Sequence, residues 1–500
     1  MRPPRAGLLI ATILAATLAA AAVILGPSLP GAQAHAARGP RAAPEPAAPQ
    51  AESGPFCRLG VDLYKRQPVQ DVDLAALRAG WYVDYYAPGT AHAAGMDYAI
   101  VISMRQVGDD GYKLDRPWDK VAALLAANAG ALWLIGNEPD RINMQDDMLP
   151  RAYARGYHDL YAYIKARDPS AQVVAGSIVQ ATPLRLQYLD MVLDAYRSLY
   201  GAPLPADGWS IHGYMLNERS CAAFPEDCWG ADIPPGITAT EGLVMGYDDA
   251  ARMDLFEAQI VRFRRWMAAR GYRDLPFYVT EAGVLLPPSL GYPPEVVNRY
   301  MREVFDYLLA AQDAQLGYPP DGSRLVQRFA WYATLTPNAN GALFESLNSS
   351  TPISPPFGLG PIGLAYQEYT RALTPTVAAA VTAAALTPAL PPAGAGGGAA
   401  FTATLALTVA GTGNLAAPAD VRVALYDGAP DGGELLAPAQ SVALAGCGAA
   451  APVAFTWRSP PEGARAGFLT VVAAWPGGAV TQRIAYFVPH AWAFAPLLAP

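Results

Sequence analysis

From residue 56 to residue 373, short apolar runs alternate with stretches of helical spacing. The runs are "FCRLGVDLY" (56–64), "GWYVDYYA" (80–87), "DYAIVISMR" (97–105), "ALWLIGNE" (131–138), "AQVVAGSI" (171–178), "GWSIHGYM" (208–215), "PFYVTEAG" (276–283) and "VQRFAWYAT" (326–334). They are rich in Val, Ile, Tyr, Phe and Trp, so each predicts a buried strand. Between most of them apolar residues fall three and four apart, which predicts helices over 69–79, 117–128, 150–166, 183–200, 249–270 and 293–311. The clearest is 249–270, where Met253, Phe256, Ile260, Phe263 and Met267 form one stripe before Gly271 closes the run. The connection between the second and third runs is short and carries no helical pattern.

Eight strands with mostly helical connections predict an α/β chain folded as a (β/α)8 TIM barrel over 56–373. An open dinucleotide-binding sheet would want a glycine-rich turn after an early strand, and none follows. Residues 374–400 are rich in Ala, Pro and Gly and read as a linker. Beyond it the period shortens to two in 401–409, 420–428, 452–459, 467–475 and 481–488. In the first of these Phe401, Ala403, Leu405, Leu407 and Val409 share one face and mostly Thr occupies the other. This predicts a small β-sandwich over 401–490. Its pattern resembles the immunoglobulin-like modules appended to many exported bacterial enzymes. The final stretch, 491–500, is an apolar tail.

At the other end, Arg2 and Arg5 precede an apolar run over 7–25, and the small residues "AQAHAA" (32–37) follow. That is the layout of a secretory signal over 1–36. The run also reaches the lower limit for crossing a bilayer, so an uncleaved membrane tether through 7–25 stays open. Residues 37–55 form an Ala/Pro-rich tether, and the chain is expected to be secreted or held at the cell surface. With 52% apolar and 16% charged residues the chain can bury a sizeable core. Its formal net charge is −8 and no Lys/Arg-rich stretch occurs, which argues against nucleic acid as a partner. Cys221 and Cys228 lie close together in a Pro/Gly-rich loop and predict a local disulfide. Cys57 and Cys447 fall in different predicted domains and are expected to be unpaired. No Cys or His spacing matches a metal site, so no metal or cofactor is expected, and the chain is expected to be a monomer.

Two carboxylates stand out. Glu138 ends the fourth predicted strand and Glu281 the seventh, and barrel active sites gather at the C-terminal strand ends. Pro139 disfavours helical backbone at Glu138 and predicts an extended conformation there. A pair of carboxylates flanking one bond is what glycoside hydrolysis requires: one with a raised pKa donates a proton, the other stays ionised. Each alone is weak evidence, because Asn-Glu-Pro and an acidic strand exit also suit helix starts.

Asn137-Glu138-Pro139 ending strand four, Glu281 ending strand seven and Trp331 on strand eight together resemble clan A of the retaining glycoside hydrolases. "WLIGNEPD", "WYVDYY" and "GPIGLAYQEY" (360–369) are similar to the β-1,3-glucanase-like and the arabinosidase- or xylosidase-like barrels. The resemblance implies that Glu138 is the acid/base and Glu281 the nucleophile. It implies also that Asn137 bonds a sugar hydroxyl and Trp331 forms a platform under the sugar. No arginine is plainly placed on strand two, where many members carry one, and Arg105 on strand three is the candidate substitute. His212 and Tyr214 share a strand face where members often hold a residue that bonds the nucleophile, and Tyr214 is the candidate to orient Glu281. Asp62, Trp81, Tyr82, Asp84 and Tyr85 end strands one and two and are candidates to line sugar subsites. One of Trp81 and Tyr82 is expected in the core, because neighbours on a strand point opposite ways.

The leading expectation is an exported glycosidase acting on a β-glucan or hemicellulose. Its rival is a non-catalytic glycan-binding or adhesion protein on a barrel scaffold. A Schiff-base lyase is disfavoured, because no predicted strand end carries a lysine.

Overall fold

Apolar runs too short for helices and flanked by helical stretches are satisfied when they pair in parallel and close on themselves. In the computed structural model they do so. Residues 55–65, 67–86, 95–336, 339–348, 354–388, 402–431, 433–458 and 466–487 are described. The barrel strands are Phe56–Asp62, Ala79–Asp84, Asp97–Ile102, Leu132–Ile135, Gln172–Ile178, Gly208–His212, Phe277–Ala282 and Arg328–Trp331. Each pairs with its sequence neighbours, and the first also pairs in parallel with the eighth, which closes the ring.

Alternation divides each strand between two cores. Trp133, Ile135, Trp209, Ile211, Phe277, Val279 and Phe329 point outward and pack under the helices in one continuous cluster. Trp81, Val83, Ala99, Val101, Leu132, Leu134, Val174, Tyr278 and Ala330 fill the barrel interior. The α-helices are Trp118–Ala127, Pro150–Arg167, Pro183–Tyr200, Met253–Ala269, Pro294–Ala310 and Pro361–Ala372. The stripe expected over 249–270 is buried as read, with Phe256, Ile260, Phe263 and Met267 in the core.

The structure departs from the sequence reading at several points. Segment 69–79 forms two short 3-10 turns, Val69–Asp71 and Leu74–Leu77, in place of an α-helix. Asp73 accepts the Ala76 amide at 3.2 Å and so diverts a backbone donor that a continuing helix would use. The third run does not continue to Arg105 as one strand. It ends at Ile102 and is followed by a hairpin of Met104–Val107 and Gly111–Leu114.

The segment read as a linker contains a strand, Ala379–Pro388, antiparallel to Thr402–Gly411. Its run of alanines carries little strand signal, and pairing supplies what propensity does not. That pair joins Ala450–Arg458 in one sheet. A second sheet holds Ala419–Asp427, Gln440–Leu444, Ala466–Trp475 and Gly478–Phe487. Leu405, Leu407, Val453, Phe455 and Trp457 of the first sheet share one apolar core with Val421, Val423, Leu425, Leu469 and Val471 of the second.

Finally, Cys57 and Cys447 are bonded to each other, correcting the expectation that they are unpaired. The start of the first barrel strand lies against 414–416, where Cys57 donates to the Asn414 carbonyl at 3.0 Å and Ala416 to that of Pro55 at 2.9 Å. The bridge closes a separation of 390 residues, so nothing local announces it. Cys221 and Cys228 form the expected local disulfide. Among the described residues no helix is long and apolar enough to cross a membrane. The expected signal or tether over 1–36, the tether over 37–54 and the apolar tail over 491–500 lie outside the described residues.

Beneath the C-terminal mouth, Trp81 plugs the barrel and its indole donates to the Arg58 carbonyl at 3.2 Å. A Cβ on Gly60 would meet that ring at 2.4 Å. Gly60→Ala is therefore expected to cost about 1–3 kcal/mol through overpacking, read as a lowered midpoint in chemical denaturation.

Candidate active site

Strand alternation by itself would send Glu281 outward with Phe277 and Val279. A register shift decides otherwise. Ile211 pairs with Val279, but the next residue, His212, pairs with Glu281. Strand seven thus carries one extra residue against strand six, a bulge that turns Glu281 into the barrel mouth. The same shift shows against strand eight, where Phe329 faces Val279 and Trp331 faces Ala282.

Glu138 reaches the mouth by a different device. Its φ is +48°, left-handed and not extended, so the expectation from Pro139 is corrected. Proline disfavours the right-handed helical region for its predecessor, and the hydrogen bonds of the turn select the left-handed one. The turn is held because Glu138 donates its amide to the Ser177 carbonyl at 2.9 Å, and its own carbonyl accepts from Arg141 at 3.1 Å. Ser177, Asn143, Gln145 and Asp147 also have φ between +47° and +59°, which concentrates backbone strain around this loop. Buried Asp146 holds the loop together by accepting the amides of Asn137 at 2.8 Å and Met104 at 3.0 Å.

Around the two glutamates the contacts are dense. His212 lies between them, with Nδ1 3.0 Å from Glu138 Oε1 and Nε2 3.4 Å from Glu281 Oε1. Carboxylate oxygens of Glu138 and Glu281 come within 4.8 Å of each other. Tyr214 donates to Glu281 Oε2 at 2.7 Å, as expected for an orienting residue, and Tyr85 donates to Oε1. Asp62 stands behind, its Oδ1 3.5 Å from the Tyr85 hydroxyl. Its Oδ2 has no hydrogen-bond partner among the described residues, although the side chain is buried. Arg141 donates to Glu138 Oε2 at 2.9 Å and to the Gly230 carbonyl at 2.9 Å.

These contacts set the charges. Burial pushes Glu138 up, but Arg141 and His212 outweigh it and hold the carboxyl at about 2. Burial raises Glu281, and the Glu138 charge adds to that, against the opposing pull of His212 and the two tyrosine hydroxyls. Burial opposes a charged His212, yet the two glutamates together raise its pKa. Asp62 is raised by burial and by the Glu281 charge. Glu138 is therefore the firmly ionised carboxylate of the pair. That reverses the order expected of a proton donor, and Arg141 is the cause. The three bridged groups are close enough to ligate one metal ion. The Arg141 guanidinium on Glu138 would repel a second cation there, so they fit a metal poorly.

Several sequence candidates lie elsewhere. Trp331 does not face the carboxylates: it is fully buried outside the barrel, edge-on to Phe305, with its indole donating to the Gly341 carbonyl at 2.9 Å. Outward alternation from Phe329 puts it there, and its neighbour Tyr332 takes the inner position, 6.4 Å from the Tyr214 ring. Tyr82 is core, with its ring 5.0 Å from Tyr98, and Trp81 is the barrel plug. Asp84 accepts the Tyr98 hydroxyl at 3.0 Å and the Tyr86 amide at 2.9 Å, both structural bonds. Arg105 is exposed at the rim and donates to the Gln145 carbonyl. Asn137 donates to the Gln145 side chain at 3.2 Å. Arg141 and Tyr332 were missed. Arg141 stands three residues from Glu138, a spacing at which a turn brings side chains together.

Deeper support comes from Arg185, buried without exposure between Asp140, at 2.7 Å, and Glu218, at 3.0 Å. It also donates to the Ala231 and Asp232 carbonyls at 2.8 and 2.7 Å. One guanidinium thereby ties the Glu138–Asp140 turn to the long loop after strand six.

No protein-family model and no curated protein matches the chain. Among solved structures, it is similar to an endo-β-1,4-mannanase from Thermotoga petrophila at 11% identity, covering 88% of this chain and 99% of that one with a TM-score of 0.33. A glucosidase from Croceicoccus marinus matches at 12% identity over 80% of this chain and 94% of its own, with a TM-score of 0.39. A bifunctional glucanase-xylanase from a metagenome library matches at 13% identity, over 82% and 97%, with a TM-score of 0.32. Likeness this distant leaves the chemistry to the residues.

Arg185→Met strands the buried charges of Asp140 and Glu218. It is expected to cost about 3–5 kcal/mol of unfolding free energy in urea titrations.

Proposed function

We propose that the chain is an exported retaining glycoside hydrolase acting on a β-glucan or hemicellulose. The observation that carries this reading is the pair Glu138 and Glu281, buried at the C-terminal mouth with oxygens within 4.8 Å. Retaining enzymes set their carboxyl groups about 5–5.5 Å apart, whereas inverting enzymes leave about 6.5–9.5 Å for a water.

Glu281 is the nucleophile. Two tyrosine hydroxyls donate to its oxygens, which favours the ionised form and aims it. Attack on the anomeric carbon forms a glycosyl–enzyme ester as the leaving oxygen takes a proton from Glu138. Glu138 then removes a proton from water, whose oxygen displaces Glu281 from the anomeric carbon, leaving Glu281 ionised and Glu138 protonated for the next turnover. His212 keeps the pair aligned. The unpartnered Oδ2 of Asp62 is suited to accept a sugar hydroxyl, Asn137 to bond a second one, and Tyr332 to meet the ring in the role expected of Trp331. Arg105 reaches substrate through the rim. The two C-terminal sheets are read as an immunoglobulin-like sandwich and the four disulfide-bonded cysteines as a mark of export. No cofactor enters the reaction.

Reducing-sugar release on β-1,3-glucan, mixed-linkage glucan, xylan, arabinan, galactan and mannan tests the reading. Glu281→Ala is expected to abolish release on whichever polymer is cut. Glu138→Gln is expected to lose about 10²–10⁴-fold on unactivated substrate and far less on dinitrophenyl glycosides, whose leaving group needs no proton. Trapping with a 2-deoxy-2-fluoro glycoside is expected to label the peptide containing Glu281. Glycan binding without turnover on any polymer or aryl glycoside would put a binding protein in its place.

A further inference from the structure

A double displacement asks Glu138 for two opposite states: a neutral acid in the first step and an ionised base in the second. Both of its oxygens are taken, Oε1 by His212 at 3.0 Å and Oε2 by Arg141 at 2.9 Å. A carboxyl that hands a proton to a leaving oxygen needs one of them free. His212 has no room to yield, being 1% exposed and fixed at its other nitrogen near Glu281. Arg141 is the more accessible partner, with a side chain 14% exposed that is held on its far side by the Gly230 carbonyl. That carbonyl belongs to the loop after strand six, two residues beyond the Cys221–Cys228 clip.

We propose that Arg141 is a positioning residue that clamps Glu138 through Oε2 and is displaced from that oxygen when the leaving-group sugar enters, freeing it to carry the proton. The inference rests on Glu138 being the acid/base. When the leaving group departs and water takes its place, the guanidinium returns and restores the base required for the second step. One residue then serves both halves of the cycle.

The charged and titratable groups facing Glu138 are Arg141 and Asp140 from its own turn, His212 from strand six, Glu281 from strand seven, and Tyr332 beyond strand eight. Of these, Arg141 alone is a permanent cation. Removing it raises the pKa of Glu138 in the free enzyme. The first step needs the neutral acid and is lost as pH rises through that pKa. The alkaline limb of kcat/KM, which reports the free enzyme, therefore moves to higher pH.

The experiment is the pH profile of kcat/KM for wild type, Arg141→Gln, Arg141→Lys and Glu138→Gln, on an unactivated oligosaccharide that the wild type hydrolyses. Arg141→Gln is expected to move the alkaline limb up by about one pH unit or more, and Arg141→Lys to bring it back toward wild type. An unmoved limb in a folded Arg141→Gln protein overturns the clamp. If Glu138→Gln keeps both its rate and its limb, the acid/base assignment has failed instead. Titration of the Glu138 carboxyl by ¹³C NMR in the wild-type protein decides the matter without any variant: a midpoint well below the ordinary glutamate range supports the clamp, and an ordinary midpoint overturns it.

Discussion

Parallel pairing of the first strand with both its neighbours is the constraint on which everything else depends. Closing the ring obliges eight strands of one direction to end at one rim, so residues far apart in sequence meet there. Glu138, His212 and Glu281 come from strands four, six and seven, and Asp62 from strand one. The same closure gives the barrel its two cores, one inside and one under the helices. The inner core fills the barrel beneath the mouth, and the carboxylates stand above it with little exposure.

Within the mouth, local distortions matter more than regular structure. Glu281 faces inward because of a bulge, and Glu138 because of a left-handed turn before a proline. Both are positions where regular backbone would have aimed the side chain elsewhere. The cost of these distortions is offset by buried bonds: Asp146 to two amides, and Arg185 to two carboxylates and three carbonyls. Such supports explain why so much charge is buried in this part of the molecule.

The electrostatics of the site follow from arginine placement. A buried glutamate beside another glutamate would ordinarily be raised, and Glu281 obeys that rule. Glu138 escapes it through a guanidinium at hydrogen-bond distance, so the two carboxylates are pushed apart in pKa by neighbours, not by depth. An acid/base that must alternate between two states gains from a partner able to leave, and Arg141 is the accessible member of the group.

Much of this was legible in the sequence, because strand, helix and turn signals are local. Eight apolar runs, the 249–270 stripe and the Cys221–Cys228 clip depend on residues within one turn or one loop of each other, and the barrel followed from their order. The two glutamates at strand exits were visible for the same reason. Which face a strand end presents is not local, since it depends on the register of its partners. Alternation sets Trp331 and Tyr332 on opposite faces but does not say which of them turns inward, nor that Glu281 sits on a bulge. The Cys57–Cys447 bond and the strand within 374–400 exist because pairing across long separations supplies energy that the residues alone do not advertise. The barrel and the pair of carboxylates are written in local pattern. How they are aimed and charged is not, because register, bulges and an arginine's reach are settled by neighbours that the chain brings together in folding.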